Sequence, residues 1–181
     1  MLIAREKRKQ NIAEYILYLW QIEDTIRACK FNIEMIEERV ISQFNVSDKQ
    51  RAEIKDWYAN LILMMHEEGI KTKGHLMILE DLVRDLELLH NKLINVDKDP
   101  AYIEQYKRAQ PNIKYFEEKL SDSTSSEIEL CLSALYGLLL LRLQKKQISQ
   151  ETLQAMQTFS NLLAILSKKY KAIGKQGDKK I

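Results

Sequence analysis

The stretch AREKRKQNIAEYILYLWQIEDTIRA, residues 4–28, predicts one long helix around which the rest of the chain is organised. Between Tyr15 and Ile22 only Gln21 is polar, so this helix is apolar on nearly every side. A helix of this kind is usually surrounded by other helices. We therefore expect residues 4–28 to lie at the centre of an α-helical bundle.

Glu23 interrupts the most apolar face of this helix. At about 100° per residue, Ile16, Leu19 and Ile26 share that face with it. A buried carboxylate is costly unless it is paired or hydrogen-bonded, and Arg27 follows at a spacing that allows an ion pair. We predict that Glu23 and Arg27 form a buried polar pair. The alternatives are a face that opens to solvent at the helix end and a functional polar cluster.

The composition is typical of a helix-rich globular protein. The chain has 181 residues, of which 45% are hydrophobic and 30% charged, with five Gly and two Pro. Apolar residues rarely alternate with period two, so no strand is predicted. We expect an all-α, single-domain helical bundle of six or seven helices over residues 1–173, since this length suits one domain. A basic disordered tail is expected over residues 174–181.

Breaks in the apolar pattern place the other helices. Asn32 and Ser47 are residue types that cap helices, and Ser47 with Gln50 fits a capping box. Pro100 suits the first turn of a helix. The apolar rhythm continues across Pro111, so residues 100–120 form either one kinked helix or two helices nearly in line.

The last third of the chain predicts a helical hairpin. Residues 121–126, SDSTSS, form a polar loop, and residues 127–146 are apolar on most sides, so this helix and the one over residues 4–28 should be the most buried. Ser149 caps a last helix that runs to about Ile173. Its apolar residues alternate steps of three and four: Met156, Phe159, Leu163, Leu166, Tyr170 and Ile173. This coiled-coil-like seam lies either within the chain or between two copies.

The sequence predicts a cytoplasmic protein that does not enter a membrane. Cys29 and Cys131 are too few for a disulfide framework and lack metal-ligand spacing, which indicates buried thiols in a reducing compartment. The longest uncharged run, residues 130–141, is shorter than the ~18 residues that a membrane span needs.

Metal binding is the alternative that the sequence leaves open. Glu87 and His90 form a Glu-x-x-His motif, and di-iron helical bundles use two such motifs with two further Glu. Here the second motif is missing, and further ligands could come only from an irregular arrangement of His66 with Glu67, His75 and Glu23. His66, His75 and His90 lie in one predicted hairpin without a partner pattern for nucleophilic catalysis. We therefore expect no catalytic residues and no cofactor.

Both ends of the chain are basic, although the net charge is only +2. Basic ends can bind nucleic acid, which makes such binding through residues 1–10 and 168–181 a second alternative. Tyr170 is the one aromatic residue among the C-terminal lysines, so base stacking is poorly supported.

Residues 1–24, MLIAREKRKQNIAEYILYLWQIED, resemble the start of a domain-of-unknown-function family of small helical proteins from Bacteroidetes. The resemblance extends through most of the chain. It implies a bacterial, all-helical protein of unassigned activity and supplies no functional residues. With the helical pattern, it favours a non-catalytic protein that acts through protein–protein contacts, either with a partner or as a homodimer.

Overall fold

The structure, a computed structural model, describes residues 2–119 and 126–177. These residues form α-helices and one short 3-10 helix, Ile41–Gln43, with no strand among them, which confirms the all-α class. The α-helices are α1 (Leu2–Gln10), α2 (Ile12–Ala28), α3 (Ile33–Arg39), α4 (Asp48–Glu67), α5 (Met77–Asn95), α6 (Pro100–Lys119), α7 (Glu127–Leu143) and α8 (Gln150–Gly177).

The described part of the chain has eight α-helices, where the sequence predicts six or seven. The difference arises at Asn11, which divides the single helix predicted over residues 4–28. The Asn11 Oδ1 atom accepts a hydrogen bond of 3.1 Å from the backbone N–H of Ala13. An Asn side chain that satisfies a free amide in this way is typical of a helix start, so α2 is a separate helix.

Most of the predicted helix starts are confirmed. The Asn32 side chain caps α3, Ser47 and Gln50 form the capping box of α4, and the Ser149 hydroxyl accepts a backbone hydrogen bond at the start of α8. Pro111 lies inside α6, so residues 100–119 form one helix and not two.

Two sequence predictions fall partly outside the described residues. Of the predicted loop over residues 121–126, only Ser126 is described, and its side chain caps α7. Helix α8 continues to Gly177, beyond the expected end at Ile173, and residues 178–181 are not described. The division into a bundle over residues 1–173 and a disordered tail stays a prediction.

Contacts within the chain define two compact units. The first contains the residues up to Arg8 together with Glu14–Asp81, and in it α3 packs on α4 and on the 3-10 helix. The second contains Lys9–Ala13 together with the described residues from Leu82 onwards, and in it α6, α7 and α8 pack on one another. Each unit has its own buried aromatic residue at the centre of a core, Tyr58 in the first and Tyr102 in the second.

The apolar seam of α8 is used within the second unit. The Phe159 ring contacts the Phe116 ring of α6 edge to face, with centroids 5.6 Å apart. The buried residues of the seam are Met156, Phe159, Leu163 and Leu166. The coiled-coil-like pattern therefore marks a contact inside the chain.

Helices α2 and α7 are both predicted to be deeply buried, but only α2 is. In α2 the exposed residues are Glu14, Asp24 and Ala28. The first turns of α7 are buried, whereas between residues 134 and 143 only Leu138 is buried. The apolar circumference of α7 is therefore only partly covered by the described residues.

Candidate functional site

Glu23 lies near the end of α2, in the first unit, with 1% of its side chain exposed. Its Oε2 atom is 2.6 Å from Nδ1 of His75, and its Oε1 atom accepts a 2.9 Å hydrogen bond from the backbone N–H of Leu76. Leu76 directly precedes α5, so the carboxylate satisfies a free amide at the positive end of that helix. Glu23 thereby fixes the start of α5.

Arg27 binds a different set of groups. Its Nη1 atom donates to Asp24 at 3.0 Å, and its Nη2 atom donates to the carbonyl oxygens of Ile70 and Gly74. Both carbonyls belong to the loop between α4 and α5. Glu23 and Arg27, predicted as a pair, both bind groups of this loop, because it offers donors to the carboxylate and acceptors to the guanidinium. Arg27 also binds Asp24 of its own helix.

Trp20 completes this cluster from one turn earlier in α2. Its ring stacks on the His75 imidazole, with centroids 4.2 Å apart and planes 14° from parallel. The imidazole is thus held between an aromatic ring and the Glu23 carboxylate, with 33% of its side chain exposed.

His90 lies at the centre of a second cluster, in the second unit, and is 2% exposed. Its Nδ1 atom is 2.7 Å from the Tyr102 hydroxyl, and its Nε2 atom is 3.1 Å from Oε2 of Glu127. The tautomer with its proton on Nε2 satisfies all three groups, since Tyr102 then donates to Nδ1 and the ring donates to Glu127. The other oxygen of Glu127 accepts a 3.0 Å hydrogen bond from the Tyr106 hydroxyl.

The electrostatics of this cluster follow from these hydrogen bonds and from burial. The hydrogen bond from His90 holds the pKa of Glu127 below its ordinary value, helped by Tyr106 and opposed by partial burial. Burial and the neighbouring Glu127 raise the pKa of Tyr106 to about 12. Burial also raises the pKa of Tyr102 and of the Cys131 thiol. A thiol with a raised pKa is a poor nucleophile.

Glu87 contacts the same helix start as His90. Its Oε2 atom accepts a 3.3 Å hydrogen bond from the backbone N–H of Ile128, and its Oε1 atom accepts one of 3.1 Å from the Asn91 amide. A carboxylate at this place is favoured by the dipole of α7. The Glu-x-x-His motif therefore brings both of its side chains to the first turn of α7.

The residues of the metal alternative divide into two pairs, one in each unit. Glu23 and His75 contact each other, whereas Glu87 and His90 both contact the first turn of α7. Within residues 2–119 and 126–177, no group of three or more His, Cys, Asp or Glu side chains could hold a metal ion. In both pairs a carboxylate accepts a backbone hydrogen bond at a helix start.

Tyr102 and Glu127 were not identifiable from the sequence as partners of His90. Tyr102 belongs to an ordinary apolar stripe, and Glu127 is one of several Glu residues. They lie 12 and 37 residues from His90 along the chain, a separation on which helical periodicity carries no information. The one local signal is the cap at Ser126, which places Glu127 in the first turn of a helix.

A cleft of about 460 Å³ opens in the first unit. Arg5, Phe44, Glu53 and Trp57 are among its lining residues. Its size suits a small molecule. None of the site residues predicted from the sequence lines it.

The second half of α7 presents an accessible side that we call the α7 face. Its residues recur at intervals of three and four and so lie on one side of the helix: Ser133, Tyr136, Gly137, Leu140 and Leu141. Leu141 is 40% exposed. A Cβ atom added at Gly137 would meet no heavy atom of the described residues within 4 Å, apart from the backbone of its own helix turn.

The sequence of the chain matches a known family. A family model for a domain of unknown function, DUF4924, matches residues 1–177. The chain belongs to the DUF4924 family. This confirms the resemblance to a domain-of-unknown-function family read from residues 1–24. No curated protein and no solved structure matches this DUF4924 chain. Among its described helices, none combines the length and the apolar content needed to cross a membrane.

Proposed function

We propose that this protein is non-catalytic and acts through protein–protein contacts made by the α7 face. The observation that carries the proposal is the exposure of this face in the middle of an apolar helix. Large apolar side chains grouped on a surface commonly mark an interaction site. Leu143, at the end of the same helix, is 59% exposed and extends the apolar surface.

The two polar clusters support this reading, because their reactive groups already have structural partners. Glu23 holds the start of α5 through the amide of Leu76. His90 has both ring nitrogens engaged, by Tyr102 and by Glu127. Carboxylates and imidazoles used in this way stabilise the helix starts and leave little capacity for a substrate.

A metal-carboxylate bundle is the alternative function. Elemental analysis of protein purified without added metal tests it, with His90→Ala as the comparison. Stoichiometric metal that is lost in this variant would replace our proposal. Sub-stoichiometric metal that His90→Ala leaves unchanged would exclude the alternative.

Nucleic-acid binding through the basic ends has weaker support, because some of their charges are already neutralised. Lys7 lies 3.2 Å from the Glu14 carboxylate, and Lys169 forms an ion pair with Asp99. Binding to a phosphate backbone depends on free basic groups and weakens steeply with salt. A salt-sensitive complex that is lost when Arg5, Arg8 and the lysines of residues 168–181 are neutralised would favour this alternative.

The proposed setting is the cytoplasm of a Bacteroidetes bacterium. The support is the resemblance carried by residues 1–24, and the two buried free thiols, Cys29 and Cys131, which are typical of a reducing compartment. Fractionation of cells that express a tagged chain tests the location. Recovery in the periplasmic fraction would contradict it.

Site-specific photocrosslinking in cells tests the role of the α7 face. Benzoylphenylalanine in place of Leu141 puts a reactive group on this face, and the same residue in place of the exposed Ala164 of α8 is the matched control. We expect a covalent adduct at position 141 that mass spectrometry assigns to one protein, and none at position 164. No adduct at position 141, or equal labelling at both positions, would contradict the proposal.

A further inference from the structure

We infer that the α7 face binds the same face of a second copy of this chain, with the two α7 helices antiparallel and crossing at Gly137. This inference rests on the proposed function and names the partner. Three features of α7 support it: the small residues at the centre of the face, the symmetric placement of a large and a small residue, and the charges at the two ends of the helix.

Gly137 marks the crossing point. Glycine in a helix interior is unfavourable relative to alanine, and no packing within the described residues requires it, since the space above it is open. Ser133, one turn earlier, is also small and is exposed. Small residues one turn apart allow two helix backbones to approach closely. A second helix at this place explains why both positions are small.

Leu141 and Ser133 lie equally far from Gly137, on opposite sides of it. In an antiparallel pair about a twofold axis at Gly137, Leu141 of one copy therefore packs over Ser133 of the other. The axis repeats the contact, so one face supplies both the large and the small residue. A surface that is complementary to itself in this way favours a second copy over an unrelated partner.

The charges beside the face are complementary in the same register. Glu129 lies in the first turn of α7, and Lys145 and Lys146 follow Gln144, the residue that caps the end of this helix. Among the described residues, the side chains of Glu129, Lys145 and Lys146 have no ion-pair partner. An antiparallel pair brings Glu129 of each copy to the lysines of the other and opposes the two helix dipoles. A parallel pair would place like charges together.

Disulfide trapping tests the crossing point, because a twofold axis at Gly137 brings position 137 of both copies together. The Gly137→Cys variant should form a covalent dimer in a glutathione buffer at micromolar protein, since the close backbones suit disulfide geometry. Ala164→Cys, on the exposed side of α8, is the control. Cys29 and Cys131 are buried and do not compete. We expect at least tenfold more dimer for position 137, and equal amounts would overturn the inference.

Charge reversal tests the antiparallel register. Two variants reverse the charges: Glu129→Lys alone, and Lys145→Glu combined with Lys146→Glu. Each should raise the dimer Kd about tenfold in sedimentation equilibrium, because the twofold axis makes every charge contact occur twice and each variant removes both copies. The triple variant should restore wild-type association, which also shows that these substitutions leave the fold intact. Dimerisation that none of the variants changes, or a wild-type chain that stays monomeric at 0.1 mM, on the order of a weak dimer's Kd, would overturn the inference.

The two experiments separate the inference from the proposed function. A photoadduct between position 141 and a different protein, with no disulfide dimer at position 137, would overturn self-association and leave the proposed function standing. The absence of both an adduct and a dimer would overturn both. An adduct with a second copy, together with the disulfide dimer, supports both.

Discussion

Helices α2 and α7 have similar sequences in one respect, an apolar circumference, yet they differ in how they are covered. Helix α2 carries bulky residues such as Leu19 and Trp20, and both are 3% exposed. Helix α7 carries Ser133 and Gly137 instead, and its second half stays accessible. An apolar circumference thus indicates that a helix has much apolar surface to bury. The size of its residues indicates whether that surface is filled by large side chains of its own or leaves room for another helix to pack closely.

The two helices also use a carboxylate–histidine contact differently. Glu23, in α2, is 1% exposed and acts on the start of another helix, α5. Glu127 is the first residue of α7 itself, and 28% of its side chain is exposed. In the α2 contact the carboxylate is the buried partner and His75 is 33% exposed, whereas in the α7 contact the histidine is the buried partner and the carboxylate is partly screened by water. We expect loss of the α2 contact to cost more stability.

The largest expected loss of stability distinguishes the buried surface of α2 from the accessible face of α7. Leu19→Ala removes a buried side chain from α2 and should lower the free energy of unfolding by about 2–5 kcal/mol. Leu141→Ala removes a side chain that is 40% exposed and should cost less than about 1 kcal/mol. Urea unfolding followed by circular dichroism at low protein concentration measures both. Equal losses would show that α7 is as enclosed as α2.

Glu23→Gln tests the buried carboxylate of α2. The amide keeps one acceptor for the Leu76 N–H but loses the charge that strengthens both hydrogen bonds, so we expect a loss of about 1–3 kcal/mol. Glu14→Gln is the matched control in the same helix, because Glu14 is exposed and its ion pair with Lys7 lies at the surface. Similar small effects of the two substitutions in urea unfolding would rule out a structural role for Glu23.

Gly137→Ala should stabilise the isolated chain by about 1 kcal/mol, because alanine favours the helix and the added methyl group meets no other side chain or helix of the described residues within 4 Å. The melting temperature at high dilution measures this gain. Gly174→Ala is the control, since its Cβ position is also open and the end of a helix contributes less to its stability. A destabilised Gly137→Ala variant would mean that the chain itself covers α7.

The smallest expected effect concerns Glu127 and pH. Its pKa is lowered in the folded state, so its contribution to stability is present above its unfolded pKa and is lost as the pH falls through the folded pKa. Glu127→Gln should therefore reduce the loss of stability below pH 4.5, the ordinary pKa of a glutamate side chain. The reduction should be less than about 1 kcal/mol, since solvent screens the group. Unfolding measured from pH 6 to pH 3 tests this, with the exposed Glu151→Gln as control. Identical pH profiles of the two variants would contradict it.

Helix caps that depend on residues close together in the sequence could be predicted, whereas hydrogen bonds between residues far apart in the sequence could not. The capping box at Ser47 and the cap at Asn32 follow from residues within one helix turn. The break at Asn11 also has a local cause, but the apolar pattern around residues 4–28 gives no sign of it. Arg27 reaches Ile70, 43 residues away, and nothing in the period of α2 indicates which loop faces that side chain.

The hydrogen bonds from α2 to the loop between α4 and α5 have a consequence for the order of folding. Glu23 reaches Leu76, 53 residues further along the chain, and closing so long a segment has an entropic cost that local helix formation does not. During synthesis, α2 emerges well before the loop that it holds. The capping box of α4 needs only its own first turn, so α4 can form early. The hydrogen bond from Glu23 that caps the start of α5 can form only after α2 and the loop have come together. We therefore expect it to be one of the later contacts of the first unit to form.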